Sequence, residues 1–230
     1  MPWLEDLKFP RGYQMGTHNL ELGYYLVDSS VGALCSLNTT NPTAEIIEKN
    51  SQPTLVKNII KTNGGNGEKV KSITANIGDI DPIRYHVEIT VGKGAKNYEF
   101  HDTIDSGLKY EETNGNVFVQ ITTNKHDSTG NLVSPNPGEY TLSYDSGDKK
   151  SFTLKFMDSF IQKLSENDQI YLTYTATVTA DAQMDTALKN IAYLKYGNNQ
   201  QTKKDHADVY TYTIPVLKYT TLKDGTEKKL

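Results

Sequence analysis

From residue 51 onward the chain is dominated by apolar and polar positions that alternate. Ile83-Arg84-Tyr85-His86-Val87-Glu88-Ile89 shows this most plainly. A period of two sends successive side chains to opposite faces, so such a run predicts a half-buried β-strand. The same reading predicts strands over Thr54–Ile60, Ser72–Ile77, Ile83–Val91, Asn97–His101, Val117–Thr122, Tyr140–Tyr144, Ser151–Phe156, Gln169–Ala180, Ile191–Tyr196 and Asp208–Lys218. Turn-forming clusters separate many of them: Asn63-Gly64-Gly65-Asn66-Gly67, Asp105-Ser106-Gly107, Pro135-Asn136-Pro137-Gly138 and Asp145-Ser146-Gly147-Asp148. Many short strands with turn chemistry between them predict an all-β sandwich rather than a parallel sheet. One segment has helical spacing instead. In residues 158 to 164, Phe160, Ile161 and Leu164 share a side and Asp158 stands as N-cap, which predicts a short helix crossing between the sheets.

The flanks read differently. Residues 20–27 and 32–37 predict two strands around a turn at Asp28-Ser29-Ser30, and Thr43-Ala44-Glu45-Ile46-Ile47-Glu48 predicts a third. Three strands without a partner sheet expose an apolar face and an open edge, so they are expected to end a larger β domain encoded upstream. After Leu217 a strand and an Asp224-Gly225 turn are expected to open a further, truncated domain. The predicted organisation is therefore a remnant over 1–50, a sandwich domain over 51–217 and the start of another unit over 218–230.

Composition narrows the function. Only 36% of residues are hydrophobic and mean hydropathy is −0.58, yet 15 tyrosines supply strand-forming bulk. A net charge of −4 leaves no basic footprint for nucleic acid. No run is long enough for a membrane span, and Met1 to Arg11 lacks the order of a signal peptide. Cys35 is the single cysteine, which excludes an internal disulfide. The five histidines lack ligand spacing, so neither a metal nor a cofactor is expected.

Two polar residues fall where apolar ones belong. Alternation places Lys57 on the face of Leu55 and Ile59, an inward position that is costly unless the amine is paired or consumed. It places Asp102 on the face of Tyr98 and Phe100. Plainer readings exist: Lys57 snorkelling at a sheet edge, Asp102 capping its own turn, Asn190 in a loop. His101 beside Asp102 suggests a dyad, but adjacent strand residues diverge.

Five motifs then occur in order: Pro53-Thr54-Leu55-Val56-Lys57; Ile77-Gly78-Asp79 before the Ile83 strand; Tyr98-Glu99-Phe100-His101-Asp102 followed by Gly107-Leu108; Ile170-Tyr171-Leu172-Thr173-Tyr174-Thr175-Ala176; and Asn190-Ile191-Ala192-Tyr193-Leu194-Lys195-Tyr196. Together they resemble the isopeptide-forming domains of Gram-positive major pilins and Cna-type adhesins, over about Leu20 to Leu230. The resemblance implies an Ig-like, Cna-type sandwich in which Lys57 is joined to Asn190 with Asp102 as the catalytic acid. Ala187-Leu188-Lys189-Asn190 keeps only the last residue of the family's Gly-Asn-x-Asn string. Asn198, eight residues on and expected on the same strand face, is therefore the fallback, and Asp105 the alternative acid. Lys218 resembles the cross-linking lysine of a following domain. Lys49 stands where shaft pilins carry the lysine used in polymerisation, though without the Tyr-Pro that precedes it in the family.

The resemblance further implies a secreted, cell-wall-anchored pilus backbone segment linked to other pilin subunits by sortase. It implies no enzymatic role beyond one self cross-linking event. The alternative is a sandwich adhesin that binds carbohydrate or a host matrix ligand.

Overall fold

A computed structural model of the chain describes residues 19–27, 33–38, 51–63, 66–79, 81–212 and 218–229. The expected strand over 43–48, the Gly64-Gly65 part of one turn, residues 213–217 and Lys49 lie outside them. A hairpin comes first, β1 (Gly23–Val27) against β2 (Ala33–Leu37). The next strands are β3 (Thr54–Asn63), β4 (Asn66–Val70), β5 (Ser72–Thr74), β6 (Ile83–Thr90), β7 (Glu99–Ile104) and β8 (Leu108–Tyr110). After them come β9 (Glu112–Thr113), β10 (Asn116–Val117), β11 (Gln120–Thr123), β12 (Tyr140–Tyr144), β13 (Ser151–Phe156) and the one-turn helix α1 (Asp158–Ile161). The remaining strands are β14 (Gln169–Val178), β15 (Ala187–Tyr196), β16 (Gln200–Gln201), β17 (Asp205–Tyr210) and a last hairpin of β18 (Tyr219–Thr221) and β19 (Glu227–Lys229).

Two sheets carry the core. The first has the order β11-β14-β6-β3-β4, with β8 also on β14. The second has the order β12-β13-β7-β15-β17-β5, with β16 on the end of β15. Pairing is antiparallel except between β17 and β5. Burial alternates residue by residue along β6, β14 and β15, as two facing sheets require. The inward rows interlock aromatic and aliphatic groups, among them Tyr85, Val87, Leu172 and Tyr174 from the first sheet and Phe100, Phe152 and Leu194 from the second. The chain is thus all-β, with α1 crossing from β13 of the second sheet to β14 of the first.

Several expected details differ. Met157 is the N-cap of α1, and Asp158 is its first helical residue. The Asp158 carboxylate accepts the Asn97 N–H at 2.9 Å, so it ties the helix to the loop before β7. The helix is also shorter than expected, ending at Ile161. The strand expected over Val117–Thr122 is divided into β10 and β11. Its start is drawn into a tight hairpin by Asn114-Gly115, both with positive φ (53° and 82°), the geometry Asn-Gly favours. Gly107 packs so closely on Ala182 that a Cβ would stand 2.5 Å from the alanine Cα.

Candidate functional site

The site forms where β3 of the first sheet faces β7 and β15 of the second. On β3, Leu55, Lys57 and Ile59 point inward, and Lys57 is fully buried. It lies opposite Val87 of β6. Its Nζ stands 4.9 and 4.8 Å from the ring centroids of Tyr85 and Tyr174, two tyrosines that oppose each other across β6 and β14. Such ring faces hold a cation in an otherwise apolar space.

From the second sheet comes Asp102, also fully buried, opposite Phe152 of β13 and Ala192 of β15. Its Oδ2 accepts from Lys57 Nζ at 2.6 Å and from the Tyr174 hydroxyl. Its Oδ1 accepts from the Tyr110 hydroxyl at 2.7 Å. Lys57 Nζ also donates to the Tyr174 oxygen, which closes a triangle of amine, phenol and carboxylate.

Asn190 occupies the next inward place along β15. It opposes Ile104 while Ala192 opposes Asp102, so Asn190 and Asp102 are diagonal neighbours on adjacent strands. Such neighbours lie about 7–8 Å apart, within reach of side chains. Asn190 is fully buried, and neither its Oδ1 nor its Nδ2 has a hydrogen-bond partner. The Tyr85 hydroxyl is unpartnered as well. The two miss hydrogen-bond geometry, yet Asn190 is near enough to the Tyr85 hydroxyl to favour its ionised form, against the larger effect of burial. A buried carboxamide left unpaired costs about 1–3 kcal/mol per polar group.

Electrostatics follow from this dryness. Burial lowers the Lys57 pKa, and the neighbouring Asp102 only partly opposes that shift. Burial, with the Asp102 charge next, raises Tyr85, Tyr110 and Tyr174 far above the ordinary phenol range. The phenols therefore remain donors, and the amine is eased toward its neutral form.

The structure thus brings Lys57 and Asp102 into contact, with Asn190 on the neighbouring strand. It places the other sequence candidates elsewhere. β15 ends at Tyr196, so Asn198 lies in the following turn, exposed, and does not share the inward face of Asn190. The reversal comes at Gly197 and Asn199, both with positive φ. Asp105 Oδ1 accepts the Gly107 N–H at 2.8 Å within its own turn. His101 stacks on Tyr193 with 4.8 Å between centroids and meets Thr153, on the face opposite to Asp102. Lys218 is exposed. Tyr85, Tyr110 and Tyr174 are site residues the sequence reading did not single out. Their signal was present as inward positions of their strands, but a buried tyrosine and a functional one look alike in a sequence.

The β-sandwich that holds this buried lysine–aspartate pair has a fold shared with solved Gram-positive major pilins. Among solved structures the chain is similar to BcpA, the major pilin subunit of Bacillus cereus, at 18% identity and a TM-score of 0.50, covering 86% of this chain and 53% of that one. It is similar to the full-length major pilin SpaD of Corynebacterium diphtheriae at 18% identity and 0.53, covering 84% and 48%. A C-terminal fragment of the major pilin GBS80 of Streptococcus agalactiae matches at 12% and 0.51, covering 70% and 57%. No protein-family profile matches the sequence, and no curated protein does. The chain spans about half the length of the pilin structures it matches, and at these identities the likeness is one of fold.

Proposed function

We propose that this chain is a segment of a pilus backbone subunit whose sandwich, taken as residues 51–217, is locked by an autocatalytic isopeptide bond between Lys57 and Asn190. The observation that carries this reading is the fully buried Lys57 amine, held by buried Asp102 beside an Asn190 carboxamide without partners. In water neither group reacts, because lysine is protonated and ammonia leaves a carboxamide badly. Here the Lys57 ammonium passes a proton to Asp102 along their hydrogen bond, which gives a neutral amine and a carboxylic acid. The amine attacks the Asn190 carbonyl carbon. Asp102 donates its hydrogen bond to the developing oxyanion and then hands its proton to the departing nitrogen. One C–N bond forms and one breaks, and the attacking nitrogen gives up its second proton through the Asp102 carboxylate to the freed ammonia, which leaves as ammonium. The strands hold the partners together, so the step is intramolecular with a large effective concentration. It happens once per molecule and has no external substrate.

Two features support a structural role on the cell surface: the likeness of the fold to major pilins, and a single cysteine, which gives an internal disulfide no partner and leaves a redox-independent cross-link as the source of resilience. Linkage to other subunits by sortase, through Lys49 or another lysine, and a second cross-link from Lys218 to a following domain belong to the same reading. The test is the intact mass of the purified chain with peptide mapping. The expected result is a mass one ammonia below that of the sequence, with Lys57 and Asn190 in one branched peptide. A mass equal to that of the sequence refutes the bond and leaves the fold standing.

A further inference from the structure

Lys57 is gripped at both ends. Its N–H and C=O point away from β6, toward an edge that β4 does not reach, because β4 pairs β3 only from Ile59 onward. Buried backbone groups need partners. Here two side chains supply them. Asp205 Oδ2 accepts the Lys57 N–H at 2.7 Å. Lys71 Nζ donates to the Lys57 carbonyl oxygen at 2.5 Å and to the same Asp205 Oδ2 at 2.6 Å. The second Asp205 oxygen accepts the His206 N–H at 2.9 Å.

Asp205 opens β17, which belongs to the facing sheet. The register there is informative: Ala192 of β15 opposes Asp102 on one side and Asp205 on the other. The two aspartates therefore stand in one cross-strand row. One holds the amine of Lys57, the other its backbone.

We propose that Asp205, braced by Lys71, is a positioning residue for the cross-linking reaction. It fixes the Lys57 backbone over the facing sheet at the level where Nζ meets Asp102 and the Asn190 carboxamide. This rests on the cross-linking reading above. A lysine stem has four flexible carbons, so the place of its backbone sets how often the amine is within reach, and a misplacement of about 1 Å can cost about a hundredfold in rate. The clamp is charge-assisted. Burial pushes the Asp205 pKa up, but the Lys57 N–H, the Lys71 ammonium and the His206 N–H together bring it below the usual carboxylate value. The ion pair itself is half-exposed on the lysine side and adds little stability. The backbone bond is what locates Lys57.

The experiment follows newly made full-length chain in cell-free translation after a pulse, with intact mass reading bond formation and protease resistance reading folding. Asp205→Ala is expected to slow ammonia loss by about ten- to hundredfold while folding keeps its time course. Asp205→Asn, of the same shape and still able to accept the Lys57 N–H, is expected to recover most of the rate. Asp205→Glu keeps the charge but moves it by one methylene, and is expected to stay slow. That order, with Asn fast and Glu slow, is one that a merely structural charge does not produce. It decides the matter even if Asp205→Ala does not fold. Wild-type rates in Asp205→Ala and Asp205→Glu overturn this proposal alone, as does a delay in folding equal to the delay in bond formation. A wild-type chain that never loses ammonia overturns the cross-linking reading and this one with it.

Discussion

Replacing Asn190 by alanine removes the electrophile and leaves Lys57, Asp102 and the three phenols in place. With the bond formed, the folded and unfolded chains alike carry a closed loop of about 134 residues, Lys57 through Asn190. By the chain-entropy relation used for disulfides, a loop of that size constrains the unfolded ensemble by about 5 kcal/mol. In an unreacted chain the free carboxamide would sit buried with both polar atoms unpartnered, and against that chain alanine is a gain of about 1–3 kcal/mol. The cross-linked wild type has no free carboxamide, so that gain does not enter the comparison with it, and the variant is expected to lose about 5 kcal/mol. In a domain of this size that is a fall of about 10–20 °C in melting temperature. The assay is urea and thermal unfolding of both chains by circular dichroism. A second signature accompanies the first: the variant's urea slope should increase, because its unfolded chain is no longer looped and exposes more surface. Equal melting temperatures and equal slopes would refute the reasoning, since no loop would then be closed in the wild type.

Other outcomes follow from the same geometry. Asp102→Ala is expected to give a folded sandwich with no ammonia loss and a lower melting temperature, and undiminished loss in that variant would move the catalytic role to Asp105 or another acid. Tyr174→Phe withdraws a hydroxyl from both Lys57 and Asp102, and in the Asn190→Ala background it should cost about 1–3 kcal/mol in urea unfolding; no change would mean the phenol is idle. The free Lys57 of Asn190→Ala has a lowered pKa, so between that value and the unfolded value of about 10.4 the unfolded chain binds more protons and stability rises with pH. Cross-linked wild type has no such amine and should lack the rise. Above about pH 10 the buried phenols act the opposite way in both chains, because the unfolded chain deprotonates first. A parallel profile for the two proteins would argue that Lys57 is free in both.

The sandwich was legible because its central strands keep a strict period of two, and β6, β12 and β13 lie close to where alternation places them. The boundaries that moved are instructive. The strand expected to stop at His101 runs on through Ile104, and the one expected to begin at Ile191 begins at Ala187. In each case a polar residue at an inward position, Asp102 or Asn190, interrupts the apolar rhythm that marks a strand. The residues proposed to carry the chemistry therefore conceal the element that carries them. The Asn114-Gly115 pair is a hairpin signal present in the sequence, but it was not among the turn clusters singled out there. The Asp205 clamp was not legible at all. It depends on β4 stopping short of Lys57, and no local pattern reports where a neighbouring strand ends.

Lys57 sits three residues into the first strand of the sandwich, and Asn190 twenty residues before the end of its last long strand, Tyr210. If the proposed bond is formed, tension along the chain enters it at one and leaves at the other. Without the bond, unravelling from Thr54 to Tyr210 releases about 157 residues of slack, on the order of 500 Å at about 3.4 Å each. With it, force passes from Lys57 to Asn190 through a covalent shortcut. Only about 23 residues outside the loop can then be drawn straight, on the order of 80 Å. Placed near the margins of the fold, the proposed bond would turn an extensible module into a nearly fixed length of tether.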